Sequence, residues 1–144
     1  FFATLGDLLD EDIPAGSAED SVSFLPALSN QPIVSTRAGV IHHSYSGHFA
    51  YRQGKWKLVL ARGSGGWSSP NEKQMPKDAP KAQLYDMEND IGETTNLYES
   101  QPETADRLLK QLVADVESGR STDGPPSSND VEKINLWKSE RAKK

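Results

Sequence analysis

VIHHSYSGHFAYRQGKWKL, residues 40–58, is the stretch whose pattern sets the fold. Apolar and polar side chains alternate with period two, and β-branched and aromatic residues are frequent, which predicts strands over residues 39–44, 48–53 and 55–61. The Ser-Gly and Gln-Gly breaks are too short for a parallel return, so the strands are expected to pair antiparallel. Residues 63–80 hold Gly63, Gly65, Gly66, Pro70, Pro76 and Pro80 with little periodicity. They predict a long excursion, followed by a further strand over residues 81–86.

The clearest helix covers residues 102–118. Ser100 and Glu103 match the capping-box spacing, Pro102 suits a first turn, and Gly119 is placed for a left-handed C-terminal cap. Ala105, Leu108, Leu109, Leu112, Val113 and Val116 form one apolar stripe, which is expected to cover a face of the sheet. The fold class is therefore α+β: a small three- to four-stranded antiparallel sheet with a long C-terminal helix packed on one face.

Towards the N-terminus, Phe1, Phe2, Leu5, Leu8 and Leu9 share one face at the helical period and predict a helix in need of a partner. Residues 11–17 read as a turn-rich connector, and Pro26 is expected to stop any helix in residues 20–28 short. Residues 120–130 read as an extended tail, with Ile134, Leu136 and Trp137 as a returning contact before a charged end at 138–144. The start at Phe1, without methionine, reads as mid-protein, so any export signal is expected upstream.

Composition narrows the function classes. With 144 residues, 35% of them hydrophobic, the chain can bury one modest core. A formal net charge of −5 argues against nucleic acid, because phosphate binding needs clustered positive charge. There is no cysteine, hence no disulfide, cysteine-ligated metal or thiol catalysis within the chain. No stretch approaches the ~20 apolar residues of a membrane span.

The second informative segment is LYDMENDIGETTNL, residues 84–97. Its Leu84-Tyr85-Asp86, Asp90, Gly92, Glu93 and Asn96-Leu97, taken with residues 40–58, resemble the C-terminal subdomain of a sulfatase, the arylsulfatase-type branch of the alkaline phosphatase superfamily. The resemblance implies that residues 1–30 end a preceding catalytic domain and lead out of it, that 31–119 are the C-terminal subdomain, and that 120–144 are a tail. It implies a parent enzyme that hydrolyses sulfate monoesters, with calcium and a formylglycine in its catalytic domain and a periplasmic or secreted location. The partners it implies are that catalytic domain and a sulfated small molecule or glycan. The sulfatase nucleophile motif, Cys or Ser, any residue, Pro, Ser or Ala, Arg, is absent here; Ser68-Ser69-Pro70-Asn71-Glu72 fails at its last two positions. This chain alone is therefore expected to be inactive. Two other readings stay open: a stand-alone glycan-binding or interaction module, and the same lobe of a phosphatase or phosphonate-ester hydrolase.

Within this frame Asp86, Asp90 and Asn96 read as side chains that hydrogen-bond the backbone of the connection into the helix, and no metal site is assigned. The substrate-binding candidates are His42, His43, Ser44, Tyr45 and Trp67. An imidazole and a hydroxyl suit sugar hydroxyls or an aryl leaving group, although either histidine equally suits a backbone carbonyl. Alternation allows at most one of His42 and His43 to face a shared cleft. Trp67 either stacks on a sugar or anchors its glycine-rich loop. Around Trp56, Lys55 and Lys57 read as a solvated face opposite a core tryptophan rather than a polyanion patch.

Overall fold

A computed structural model describes residues 1–14, 16–34 and 37–138; the charged end beyond Lys138 lies outside the described residues. The elements are α1 (Phe2–Leu9), α2 (Leu25–Leu28), β1 (Val40–His43), β2 (Phe49–Gln53), β3 (Trp56–Val59), β4 (Gln83–Asp86) and α3 (Pro102–Ser118). They fall into two compact units: Phe1–Ala38 with Val113–Glu132, and Gly39–Leu112 with the described residues from Lys133 on.

The second unit is a four-stranded antiparallel meander in the order β1-β2-β3-β4. Register places Ile41 opposite Tyr51, Tyr51 opposite Leu58 and Leu58 opposite Leu84, so these four side chains form a row on one face. Tyr51, Leu58, Leu60 and Leu84 are fully buried there, and so are Leu108 and Leu112 from the α3 stripe. The helix thus packs on this face, and the α+β architecture read from the pattern is the one observed. Arg107 on α3 also donates to the Gln53 amide oxygen at the end of β2.

Local chemistry ends each element. Gly119 takes φ +70 beyond α3, the left-handed conformation glycine adopts without strain, and its N–H donates to the Val116 carbonyl. Ser100 does not cap the helix; its hydroxyl donates to the Leu97 carbonyl at 3.2 Å, and Ala105 N–H closes the first turn on Gln101. The connection from β4 to α3 runs on carboxylates and an amide, as expected. Asp90 accepts from the N–H groups of Thr94 and Thr95, Asp86 accepts from Glu88 N–H, and the Asn96 oxygen accepts from Leu84 N–H.

In the first unit, the helix around Pro26 is short, as expected, at four residues, and Pro26 sits in its first turn, where its missing N–H would be left unpaired anyway. Polar contacts do most of the holding. Ala3 N–H donates to Ser21 Oγ, Phe24 N–H to Thr4 Oγ1, and the Glu19 carbonyl receives both N–H and hydroxyl of Thr122. The stretch Arg120 to Asp130, expected as an extended tail, is ordered by Arg120, whose guanidinium donates to the carbonyls of Thr122, Asp123 and Pro125.

Candidate functional site

The face of the sheet opposite α3 carries a second register row. His42 pairs with Ala50, Ala50 with Val59, and Val59 with Gln83, one residue from each strand. Lys57 lies two residues before Val59 and shares the face. This row floors a cavity of about 240 Å³. Its walls are His43, Ser44 and His48 from the first hairpin, Gly63 and Ser64 from the excursion, and Glu93 from the β4–α3 connection.

Lys57 Nζ donates to Glu93 Oε1 at 2.5 Å across this cavity, so the expected solvated lysine is half-buried and ion-paired. Lys55 behaves differently: it reaches Asp86 at 2.7 Å, while its ammonium lies 4.8 Å from the Trp56 ring centre. The hydrogen bond from Lys55 is the main cause holding the Asp86 carboxyl below its ordinary range. Gln83 is fully committed, donating to the carbonyls of Ala61 and Gly63 and accepting from the Tyr85 hydroxyl. Burial, helped by Glu93 and Asp90, raises the Tyr85 hydroxyl above its usual pKa and keeps it a donor.

His42 and His43 both border the cavity, yet alternation separates their rings as expected: His42 shares the face of Ala50 and Val59, whereas His43 shares that of Ile41 and its partner Phe49. β1 is an edge strand and His43 is its last residue, which brings the end of the strand to the rim of the cavity. The His43 ring packs edge-on against Phe49 with centroids 4.2 Å apart. The histidine held by a backbone carbonyl is His48, whose Nδ1 lies 3.2 Å from the Leu60 oxygen. Ser44 also lines the cavity, but its hydroxyl proton goes to the Gly65 carbonyl at 2.5 Å while its oxygen accepts from His48 N–H.

Tyr45 and Trp67 lie outside this lining and together. Their rings stack at 4.1 Å with a 42° tilt, and 74% and 81% of their surfaces are exposed. The loop carrying Trp67 is braced by Glu72, whose carboxylate accepts the N–H groups of Arg62, Gly63 and Gly65. Gly65 has φ +66, and a Cβ there would approach Ser44 Oγ to 3.0 Å, so glycine is required for both reasons.

The cavity offers donors from lysine and histidine and an acceptor from glutamate, a set suited to binding polar groups. Among the described residues, no group of three or more His, Cys, Asp or Glu side chains is placed to hold a metal ion. Sequence reasoning missed Lys57, Gln83 and Glu93 as cavity residues. The register of two short hairpins, extended on paper from His42 to Ala50 and on to Val59, was the signal that could have found the first.

Against known proteins, no family model matches the chain. No curated protein matches it either. Among solved structures it is similar to a Bacteroides thetaiotaomicron protein designated a 6S-sulfatase in work on the metabolism of multiple glycosaminoglycans, at 25% identity and TM-score 0.62, over 79% of this chain and 23% of that one. It also matches a protein solved with its substrate D-glucosamine-2-N,6-O-disulfate, at 20% identity and TM-score 0.49, over 80% of this chain and 22% of that one. A 2-O glycosaminoglycan sulfatase matches at 23% identity and TM-score 0.49, over 85% of this chain and 26% of that one. The chain spans about a quarter of the length of each.

Proposed function

The chain is a sulfatase-type C-terminal domain, and from that premise we propose that it is the non-catalytic lobe of an enzyme that hydrolyses sulfate monoesters. In this reading it packs on the catalytic domain and forms one wall of the substrate cleft. The observation that carries the reading is the fold match over 79% of this chain to only 23% of a sulfatase, which leaves most of such an enzyme outside these residues. The apolar face of α1 supports the packing role, since Phe2, Leu5, Leu8 and Leu9 are all exposed on it.

Calcium and formylglycine belong, in this proposal, to the remainder of the enzyme. Neither fits this chain, which has no cysteine, no complete nucleophile motif and no suitable ligand cluster among its described residues. What the lobe contributes is positioning: His42 and the Lys57–Glu93 pair supply donors and an acceptor for the hydroxyls of the group that bears the sulfate.

The test compares sulfate release from a sulfated glycosaminoglycan disaccharide by the 144-residue chain and by the complete polypeptide, the latter with and without His42→Ala. Release is expected from the complete polypeptide alone, with KM raised by His42→Ala. Turnover by the isolated chain overturns the non-catalytic assignment, and a complete polypeptide that leaves the sulfate in place but hydrolyses a phosphate monoester such as p-nitrophenyl phosphate transfers the lobe to a phosphatase.

A further inference from the structure

We infer that Tyr45 and Trp67 form a stacking platform for a second sugar ring, next to the one seated in the cavity, so that the ligand is an oligosaccharide rather than a single sulfated ring or an aryl ester. The inference rests on the sulfatase reading for the nature of the sugar in the cavity.

Size comes first. The cavity holds about 240 Å³, below the roughly 300–1,000 Å³ of pockets that enclose drug-sized ligands. It has room for one ring, and the rest of a longer chain must lie outside it. The adjoining walls are the ones that carry the aromatic pair: Ser44 precedes Tyr45, and Ser64 opens the loop that holds Trp67.

The chemistry of the pair suits a sugar. A pyranose shows an apolar face of C–H bonds and a rim of hydroxyls, and an exposed aromatic ring with a polar handle matches both. Neither the Tyr45 hydroxyl nor the Trp67 indole N–H has a partner among the described residues, so both handles are available. The setting is not that of a protein-docking face. Around Trp67 the loop is Gly65, Gly66, Ser68 and Ser69, and the other exposed large hydrophobic residue of this unit is Ile91, far along the chain in the β4–α3 connection.

The platform is also held in advance. Ser44 Oγ and Ser46 N–H both donate to the Gly65 carbonyl, tying the two loops together, and Lys138 Nζ donates to the Ser46 carbonyl from the far end of the chain. Rings fixed before binding lose little freedom on binding.

The experiment uses the complete polypeptide and its Tyr45→Ala, Trp67→Ala and ring-preserving Trp67→Phe variants. Binding of a sulfated glycosaminoglycan tetrasaccharide is measured by calorimetry, alongside kcat/KM on that tetrasaccharide and on a sulfated monosaccharide. Either alanine variant is expected to weaken tetrasaccharide binding and kcat/KM by about tenfold, the size of an aromatic hot-spot loss, leaving the monosaccharide unchanged and Trp67→Phe close to wild type. Equal losses on both substrates, or none on either, overturn the platform. So does quenching that finds Trp67 shielded in the sugar-free polypeptide, which assigns the pair to a protein contact. A wild type that binds the tetrasaccharide but releases no sulfate defeats the sulfatase reading and leaves the binding comparison to decide the platform.

Discussion

The two units bury and expose opposite kinds of surface. The unit built on the sheet hides Tyr51, Leu58, Leu60, Leu84, Leu108 and Leu112 completely, whereas Ala3 is the one buried hydrophobic residue among the described part of the other. That other unit leaves Phe2, Leu5, Leu8, Leu9, Leu28 and Val34 exposed and holds itself together by hydrogen bonds to carbonyls and hydroxyls. Burial of apolar surface is the dominant favourable contribution to folding, so the sheet unit carries its own core while the helical unit leaves most of its apolar side chains exposed. The lesson is that a single chain can hold a finished fold and an unfinished surface side by side.

The strongest way to break this comparison is truncation of one leucine in each unit of the 144-residue chain. Leu108→Ala removes a fully buried side chain and should lower unfolding free energy by about 2–5 kcal/mol in urea denaturation. Leu8→Ala should stay within about 0.5 kcal/mol, because that side chain is already 61% exposed. Equal losses at the two positions would erase the distinction.

A smaller effect sharpens it within the sheet unit. Gly65→Ala imposes a left-handed conformation on a residue with a Cβ and presses on Ser44, for an expected loss of about 1–2 kcal/mol by thermal melting. No change in the melt would mean that the loop is less tightly set than its hydrogen bonds indicate.

The smallest effect is acid sensitivity of the β4–α3 connection. The folded Asp90 carboxyl is held below its ordinary range, chiefly by the N–H groups of Thr94 and Thr95. A depressed folded pKa means that the stabilisation is present above the unfolded value of about 3.9 and is lost as pH falls through the folded one. Asp90→Asn should therefore flatten the stability profile below about pH 4 and leave its shape at neutral pH unchanged. An unaltered acid limb would sink that assignment.

Local pattern made most of the scaffold legible. The α3 stripe, Pro102 and Gly119 gave a helix whose ends match the observed ones, and alternation gave three strands to within a residue or two. Asp86, Asp90 and Asn96 were readable because their partners lie within a few residues or on the adjoining strand. The cavity was harder to see because its chemistry is assembled across sequence distance. Lys57 looks solvated on its own strand, and only Glu93, 36 residues later, turns that face into a lined site.

Glu72 carries one more consequence. Three N–H groups, from Arg62, Gly63 and Gly65, converge on its carboxylate, and the Ser64 hydroxyl returns to the carbonyl of Ser68. These contacts reach the loop through its backbone, and among residues 66–68 the Trp67 ring adds a side-chain contact, its stack on Tyr45. The tip behaves like an interchangeable bit in a fixed chuck: a library confined to those three positions can alter what the loop touches while one carboxylate keeps its path.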